Sequence, residues 1–591
     1  MGLAFTIDSP VKVARFGIAS VLSIVEDRLI ETMRSYYYPF ANLPFVPITA
    51  KDKDYRAKRI TDYLNLINHI VNTQIRKLKN EAFEAGSEII KYFEMLPEDN
   101  KAKQLYRRML NTENSSERNA MEASLREQVI PGSIDVNIMT KLDKNNADAT
   151  GELLEDGSDA VAALRGYAGS NLSNSSIVFS AGLNPRLYNF LEKCREFDAD
   201  DNGVFTKKII IKVSDYRSAL IQGKYLAKKG IWVSEFRIES GLNCGGHAFA
   251  TDGFLLGPIL QEFKNKKEEL ASSLFDLYNA AIKAKGKPGF THPHPVRISV
   301  QGGIGTAAEH TLLHEYFGVS STGWGTPFLL VPEATTVDEP TLKLLSKAQK
   351  DDIELSDNSP LGVPFHYLKN TSGAAEKRQR VLDGKPGSPC TEKHLVSNTE
   401  FTKDPICTAS TKYQQLKIAQ LQSLNLPQQE YQQQVDKVLE KECLCIGLSN
   451  SAPLQYNKPF LKKLTAVTVC PGPNIVHFSE VVSLQTMVSH IYGKTNVMKN
   501  IGRPHMFIAE LALYISYLEK HAAADARNMS NSKTHKYYST FIQNLLHGIS
   551  YYRSIQQKVE EEQVFGDALD KAEQQLAHIA RHYDLIEPVS A

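Results

Sequence analysis

The feature that most constrains this chain is a repeated unit, in which a β-rich run ends in glycines and a helical pattern follows. Two copies of the unit stand next to each other at the middle of the sequence. Residues 297–301 predict a strand, 302–305 a glycine turn and 307–317 a helix. Residues 319–322 predict the next strand, with a second glycine turn at 323–326. Strands and helices that alternate with short connections favour parallel strands joined by helical crossovers.

The two glycine turns also predict a kind of ligand. Glycine lets backbone N–H groups approach an anion closely, and the start of a helix adds partial positive charge. In β/α barrels the loops after the last two strands form a phosphate site. One turn alone would be an ordinary connection between strand and helix. Together, the turns at 302–305 and 323–326 predict a phosphate-binding site.

Further strands of the same type predict a barrel. Their ranges are 133–140, 176–181, 208–214 and 232–239, and the β-rich residues 3–24 can supply the rest of eight. No Gly-x-Gly-x-x-Gly motif opens the first unit, which argues against a dinucleotide-binding fold. The sequence therefore predicts an α/β fold, a (β/α)8 TIM barrel with a helical insertion and a mostly helical C-terminal region that contains cysteines.

Three regions are predicted along the chain. Residues 1–375 form the barrel, and their charged, helix-periodic segment at about 54–130 is read as an insertion. Residues 376–480 form a cysteine-rich segment, and residues 481–591 form a helical region whose apolar stripes pack on the barrel or on a second copy of the chain.

Composition excludes several classes of partner. The chain has 68 basic and 67 acidic residues, for a net charge of +1, so nothing in its charge favours nucleic acid. No apolar run reaches the roughly 20 residues that a membrane helix needs. The N-terminus lacks the pattern of a secretion signal, so we expect a cytoplasmic protein without a membrane partner.

Three polar residues stand where a barrel binds its ligands. His247 follows a strand and two glycines, and a histidine can act as acid or base at neutral pH. Asn137 within the run 133–140 is either a ligand-binding amide or a satisfied core amide. Lys212 lies in an apolar strand, and its burial requires a partner, either a ligand or a neighbouring carboxylate.

The cysteines are unevenly distributed. Five of the seven lie between residues 390 and 470, namely Cys390, Cys407, Cys443, Cys445 and Cys470. Thiolates are preferred ligands of iron–sulfur clusters and zinc, so a [4Fe–4S] cluster or a zinc ion is predicted. The alternative is that all five are small buried hydrophobic residues.

Several motifs resemble one enzyme superfamily. They are Gly245-Gly-His247, the run Gln-Gly-Gly-Ile-Gly at 301–305, and Gly-Trp-Gly-Thr-Pro-Phe-Leu at 323–329 before Pro-Glu-Ala at 332–334. They resemble the nitronate monooxygenase superfamily, which includes 2-nitropropane dioxygenase-like proteins, FMN-dependent enoyl-ACP reductases and PfaD-type reductases. The resemblance covers about 3–24 and 130–372.

The resemblance implies an FMN-binding barrel in which His247 faces the substrate. The residues that it implies around FMN are Asn137, Lys212, Gly302, Gly303, Gly323, Gly325 and Thr326, with Gly245, Gly246, Gln301 and Trp324 on the same turns. Asn243 and Cys244 depart from the family pattern, as do the insertion at 54–130 and the region beyond 375. These departures concern the substrate more than the flavin.

The expected function is that of an FMN-dependent oxidoreductase, nitronate monooxygenase-like, with His247 as acid or base beside the flavin. One alternative is an FMN-dependent, PfaD-like reductase of enoyl thioesters, and another is a flavin and iron–sulfur electron-transfer or scaffold protein. The expected partners are a small-molecule or acyl-thioester substrate, an electron donor and a second copy of the chain.

Overall fold

The computed structural model describes residues 3–147, 152–246, 251–499, 502–526, 529 and 531–585. Its strands are β1 Ser20–Ser23, β2 Ile134–Asn137, β3 Ser175–Phe179, β4 Lys207–Val213, β5 Glu235–Glu239, β6 Arg297–Gln301, β7 Ser321–Gly323, β8 Ile353–Ser356 and β9 Phe365–Leu368. The first seven form one parallel sheet in chain order, and β8 and β9 form an antiparallel hairpin. The predicted parallel α/β order is confirmed.

Helices surround the sheet and continue beyond it. Those up to the end of the sheet are α1 Ser9–Val13, α2 Asp27–Phe40, α3 Tyr55–Lys79, α4 Glu88–Glu94, α5 Lys101–Leu110, α6 Ser115–Gln128, α7 Asp159–Ala168, α8 Pro185–Leu191, α9 Tyr216–Ala227, α10 Leu256–Ala284 and α11 Ala307–Thr311. After the sheet come α12 Glu339–Lys347, α13 Ser372–Leu382, α14 Thr411–Ser423, α15 Gln428–Glu440, α16 Leu444–Gly447, α17 Ser451–Gln455, α18 Leu484–Ile491, α19 Met506–Ala524, α20 Ser532–Ile555 and α21 Glu562–His582.

A closed eight-stranded barrel is the one part of the predicted fold class that is wrong for the described residues. The sheet has seven strands, and β1 does not pair with β7. In the β-rich residues 3–24 only β1 is a strand, because Pro10 lacks an N–H group and stands in the first turn of α1, where helices accept proline. This N-terminal segment packs beside the chain that follows β7: the Thr336 N–H donates to the Phe5 carbonyl at 2.9 Å.

Alternation along the strands separates an apolar face from a polar one. In β4, Ile209, Ile211 and Val213 belong to the main hydrophobic cluster, whereas Lys212 lines a cleft on the other face. Successive side chains of a strand point to opposite faces of a sheet. The apolar face packs against the helices, so the polar face is left to form a site.

The predicted insertion contains α3 to α6. One face of α3, formed by Tyr63, Leu66, Ile67, Ile70 and Val71, is buried. Helix α3 packs against α7 and α2, so this part of the segment belongs to the layer of helices around the sheet.

The C-terminal helices and the sheet contribute to one hydrophobic cluster. Its residues range along the chain from Ala4 to Leu585. Helices α19 and α20 pack against α10. Of the helices that the structure describes, none has both the length and the apolar character that crossing a bilayer would require.

Candidate functional site

A cleft of about 840 Å³, its open mouth included, lies at the carboxyl ends of the parallel strands. Ligand sites of α/β sheets form at this end of the strands. Every residue predicted to line FMN lines this cleft: Asn137, Lys212, Gly245, Gly246, Gln301, Gly302, Gly303, Gly323, Trp324, Gly325 and Thr326. The structure thus brings the two glycine turns together at one cleft, while the role of these residues in binding stays a prediction.

The glycine turns present free backbone donors to the cleft. Gly302 and Gly303 have φ values of 105° and 80°, in the left-handed region that favours glycine. Among the described residues, no acceptor takes the N–H groups of Gly302, Gly303, Trp324 or Gly325. Unpaired N–H groups in adjacent turns form an anion-binding concavity.

Charged and amide side chains form the base of the cleft. Lys212 Nζ lies 3.3 Å from Glu239 Oε1, and the same oxygen accepts hydrogen bonds from Asn243 Nδ2 at 2.9 Å and Gln301 Nε2 at 2.7 Å. The partner that Lys212 requires is therefore a carboxylate on the next strand. Burial opposes ionisation of Glu239, but the Lys212 charge and the Asn243 amide hold the pKa of Glu239 below its usual value.

A second ionic layer lies deeper on the same face of the sheet. Arg237 donates to Asp135 at 2.8 Å and to Glu235 at 2.7 Å, and the Ser299 hydroxyl donates to Glu235 at 2.5 Å. Paired and hydrogen-bonded charges can be buried at acceptable cost. This layer supports the Lys212–Glu239 pair from below.

The turn at 302–305 is held by residues from the C-terminal third. Arg503 donates to the Gly303 carbonyl at 2.6 Å and pairs with Glu309 at 2.7 Å. Glu309 also accepts the Gly305 N–H at 2.8 Å, and the Asn474 amide donates to the Gly303 carbonyl at 3.3 Å. Long-range contacts therefore fix the conformation of this turn.

The loop after β5 is held in the same way. Glu510 of α19 accepts from the Ser240 hydroxyl at 2.9 Å, the Gly241 N–H at 3.2 Å and the Leu256 N–H at 2.7 Å. Burial raises the pKa of Glu510. The Gly245 N–H donates to the Cys470 carbonyl at 3.0 Å, so a segment more than 200 residues away shapes this wall of the cleft.

The histidines separate into two groups. His247 lies outside the described residues, and its role stays a prediction. His310 and His314 are partly buried, with ring centres 4.5 Å apart. His310 Nδ1 lies 2.9 Å from the Thr322 hydroxyl oxygen, and burial, with the neighbouring His314, lowers the pKa of His310 to about 4.

The structure divides the five cysteines predicted to bind a metal. Cys390, Cys407, Cys443 and Cys445 line one narrow pocket of about 260 Å³, its open side included, and they form no disulfide. A hydrogen bond from Cys445 outweighs burial and lowers the pKa of Cys443 to about 6. Cys470 is not among the residues that line this cavity, and its Sγ lies 3.8 Å from the Gly246 carbonyl oxygen at the cleft.

Several residues around the cleft were missed in the sequence. Glu239 is the last residue of β5, the strand next to the one that contains Lys212. This position could have identified it in the sequence as the partner of Lys212. Burial, with the nearby positive charge of Lys212, lowers the pKa of Lys141 to about 8, which puts a second titratable amine near the cleft. Arg503 and Glu510 lie in helical or loop patterns that gave no sign of contact with the turns.

Neither a known family model nor a curated protein matches this chain. Among solved structures, the enoyl reductase domain of MlnA, from the macrolactin biosynthesis cluster of Bacillus amyloliquefaciens, is similar to it with 15% identity and a TM-score of 0.32. The similarity covers 68% of this chain and 87% of that one. A similarity of this size supports no conclusion about function.

Proposed function

We propose that this protein is an FMN-dependent oxidoreductase of the nitronate monooxygenase-like type. The observation that carries the proposal is the pair of glycine turns that meet at one cleft, where the N–H groups of Gly302, Gly303, Trp324 and Gly325 have no acceptor among the described residues. Such donors suit the phosphate of a mononucleotide better than an uncharged ligand, because several N–H groups can donate hydrogen bonds to the oxygens of one anion.

The rest of the cleft offers a flavin ring both apolar and polar contacts. Trp324 offers an apolar surface, and Lys212, Asn137 and Gln301 offer polar groups that could bond the edge of the ring. A bound flavin would supply the exchange of hydride or electrons, and the protein would supply binding, orientation and electrostatics.

The residues of this chain have distinct proposed tasks. The turns at 302–305 and 323–326 hold the phosphate. Lys212, in contact with Glu239, presents its amine to the edge of the ring. His247, next to Gly246 in the sequence, moves a proton at the substrate carbon that carries the electron-withdrawing group.

The proposal is tested by cofactor content and substrate range. The purified protein should be yellow and release FMN on heating, and the apoprotein should bind FMN again in a fluorescence titration. Turnover is then measured with an alkyl nitronate and oxygen, and separately with an enoyl thioester and NADPH. Turnover of the thioester alone would replace the nitronate monooxygenase-like assignment with a reductase. Failure to bind FMN would overturn the whole proposal.

Replacing His247 with alanine should leave FMN bound and lower turnover by about 10²–10⁴-fold, the usual contribution of a general acid or base. His292→Ala is the matched control, since His292 is exposed and does not line the cleft. Stopped-flow measurement of flavin reduction or reoxidation in both variants locates the affected step. Unchanged turnover in His247→Ala would remove this histidine from the reaction.

A further inference from the structure

Four cysteine side chains from three separate segments meet outside the cleft. Cys390 and Cys407 come from the loops before α14, Cys443 directly precedes α16, and Cys445 lies in its first turn. All four line one narrow pocket, together with apolar neighbours such as Leu395 and Ala409 and the charged residues Glu392 and Lys393. Cys407 and Cys445 are buried, and Cys390 and Cys443 are partly buried. Four of the seven cysteines therefore meet at one pocket. Cysteines that served only as small buried residues would not need to be grouped in this way.

Polar groups line the same pocket as the sulfurs, among them Ser388 and Lys393. Polar groups around cysteine ligands tune the metal centres that such ligands hold.

The backbone at Cys390 adds to this picture. Its φ is 54°, and Lys393 in the same loop has a φ of 57°. Non-glycine residues seldom adopt the left-handed region unless the surroundings enforce it, and such positions are concentrated at ligand sites. The loop is thus shaped so that the Cys390 thiol faces the other three at the cavity.

The spacing of the sulfurs distinguishes a cluster from a single ion. Tetrahedral zinc, with Zn–S bonds of about 2.3 Å, holds its four sulfurs about 3.8 Å apart. Among the described residues, one group of three potential metal ligands has its donor atoms within 4.8 Å of one another. This group is Glu26, Glu392 and His394, and it contains no cysteine. No three of the four sulfurs lie that close together, so the set is less compact than four sulfurs around a single zinc ion.

We infer that Cys390, Cys407, Cys443 and Cys445 bind a [4Fe–4S] cluster. Cys470 is not a ligand: it contacts the Gly246 carbonyl instead. Cys470 belongs, however, to the same group of buried apolar side chains as Cys407 and Cys445. The proposed iron–sulfur site therefore lies near the wall of the cleft that contains Gly246.

The test is metal analysis of the full-length protein purified without oxygen. About four iron and four sulfide per chain are expected, with a visible absorbance that dithionite bleaches and an EPR signal in the reduced protein. FMN is quantified separately after release, so a missing cluster and a missing flavin give different results. Zinc without iron, or no metal after anaerobic reconstitution with iron and sulfide, would overturn the assignment.

Single serine variants define the ligands. Cys407→Ser and Cys445→Ser should lower iron content and change or abolish the EPR signal, while Cys470→Ser, a buried cysteine of the same hydrophobic cluster, should keep iron at the wild-type level. If the ligand variants do not fold, the anaerobic wild-type protein and Cys470→Ser still decide the question. Loss of iron in Cys470→Ser with retention in Cys407→Ser would show that the ligand set is wrong.

Discussion

Replacing Arg503 with alanine should lower the free energy of unfolding by about 3–5 kcal/mol, the range for a buried ion pair that loses one member. The side chains of Arg503 and Glu309 are 5% and 1% exposed. Without the guanidinium, Glu309 keeps a buried charge, and the Gly303 carbonyl loses a donor at 2.6 Å. Urea unfolding followed by circular dichroism measures the loss.

The matched control for this variant is Arg553→Ala. Arg553 also contacts two carboxylates, Asp570 at 2.7 Å and Glu573 at 2.5 Å, but its side chain is 38% exposed. Exposed pairs contribute about 0–1 kcal/mol, so this variant should stay close to wild type. The double variant Arg503→Met/Glu309→Gln, which removes both charges, should recover part of the loss. Equal effects in Arg503→Ala and Arg553→Ala would contradict the buried-pair explanation.

Replacing Gly303 with alanine should weaken FMN binding by about tenfold to a hundredfold. The new Cβ would lie 2.5 Å from Leu242 Cδ1 and 2.9 Å from Leu242 Cβ, closer than any normal contact. The turn or Leu242 must shift, and overpacking of this kind costs about 1–3 kcal/mol. A shifted turn no longer directs its N–H groups at one point. Fluorescence titration of the apoprotein with FMN gives the change in Kd.

Gly318→Ala separates this contact from backbone strain. Gly318 has a φ of 69°, close to the 80° of Gly303, but a Cβ added there meets nothing within 4 Å. Both variants therefore carry a similar left-handed penalty of about 1–2 kcal/mol. Only Gly303→Ala should lose FMN affinity, and equal affinity in the two variants would mean that the turn at 302–305 does not hold the phosphate.

Local pattern was enough to locate the cleft. Each glycine turn follows a strand whose sequence is β-rich, and parallel strands place their carboxyl ends at one edge of a sheet, so Gly303 and Gly325 had to lie near each other once both strands were recognised. Lys212 was also identified correctly as a buried charge in need of a partner, because an amine within an apolar run can be read from the sequence alone.

Local sequence pattern could not predict that the sheet stays open, nor which residues hold the glycine turn at 302–305. Residues 3–24 are β-rich, yet Pro10 and packing against the chain after β7 give most of them another conformation, a tertiary effect that propensity does not contain. Arg503 binds a carbonyl 200 residues earlier in the chain. No periodicity connects such a pair, and a partner for Gly303 could be found only from the coordinates.

The dependence of the turn at 302–305 on Arg503 and Asn474 has a consequence for biosynthesis. A ribosome delivers the sheet strands first, and domains commonly fold in that order as they emerge. Here the turn at Gly303 must wait for a residue translated 200 codons later. The nascent sheet thus carries an unfinished pocket through that interval, and the proposed FMN would bind only late in the synthesis of the polypeptide.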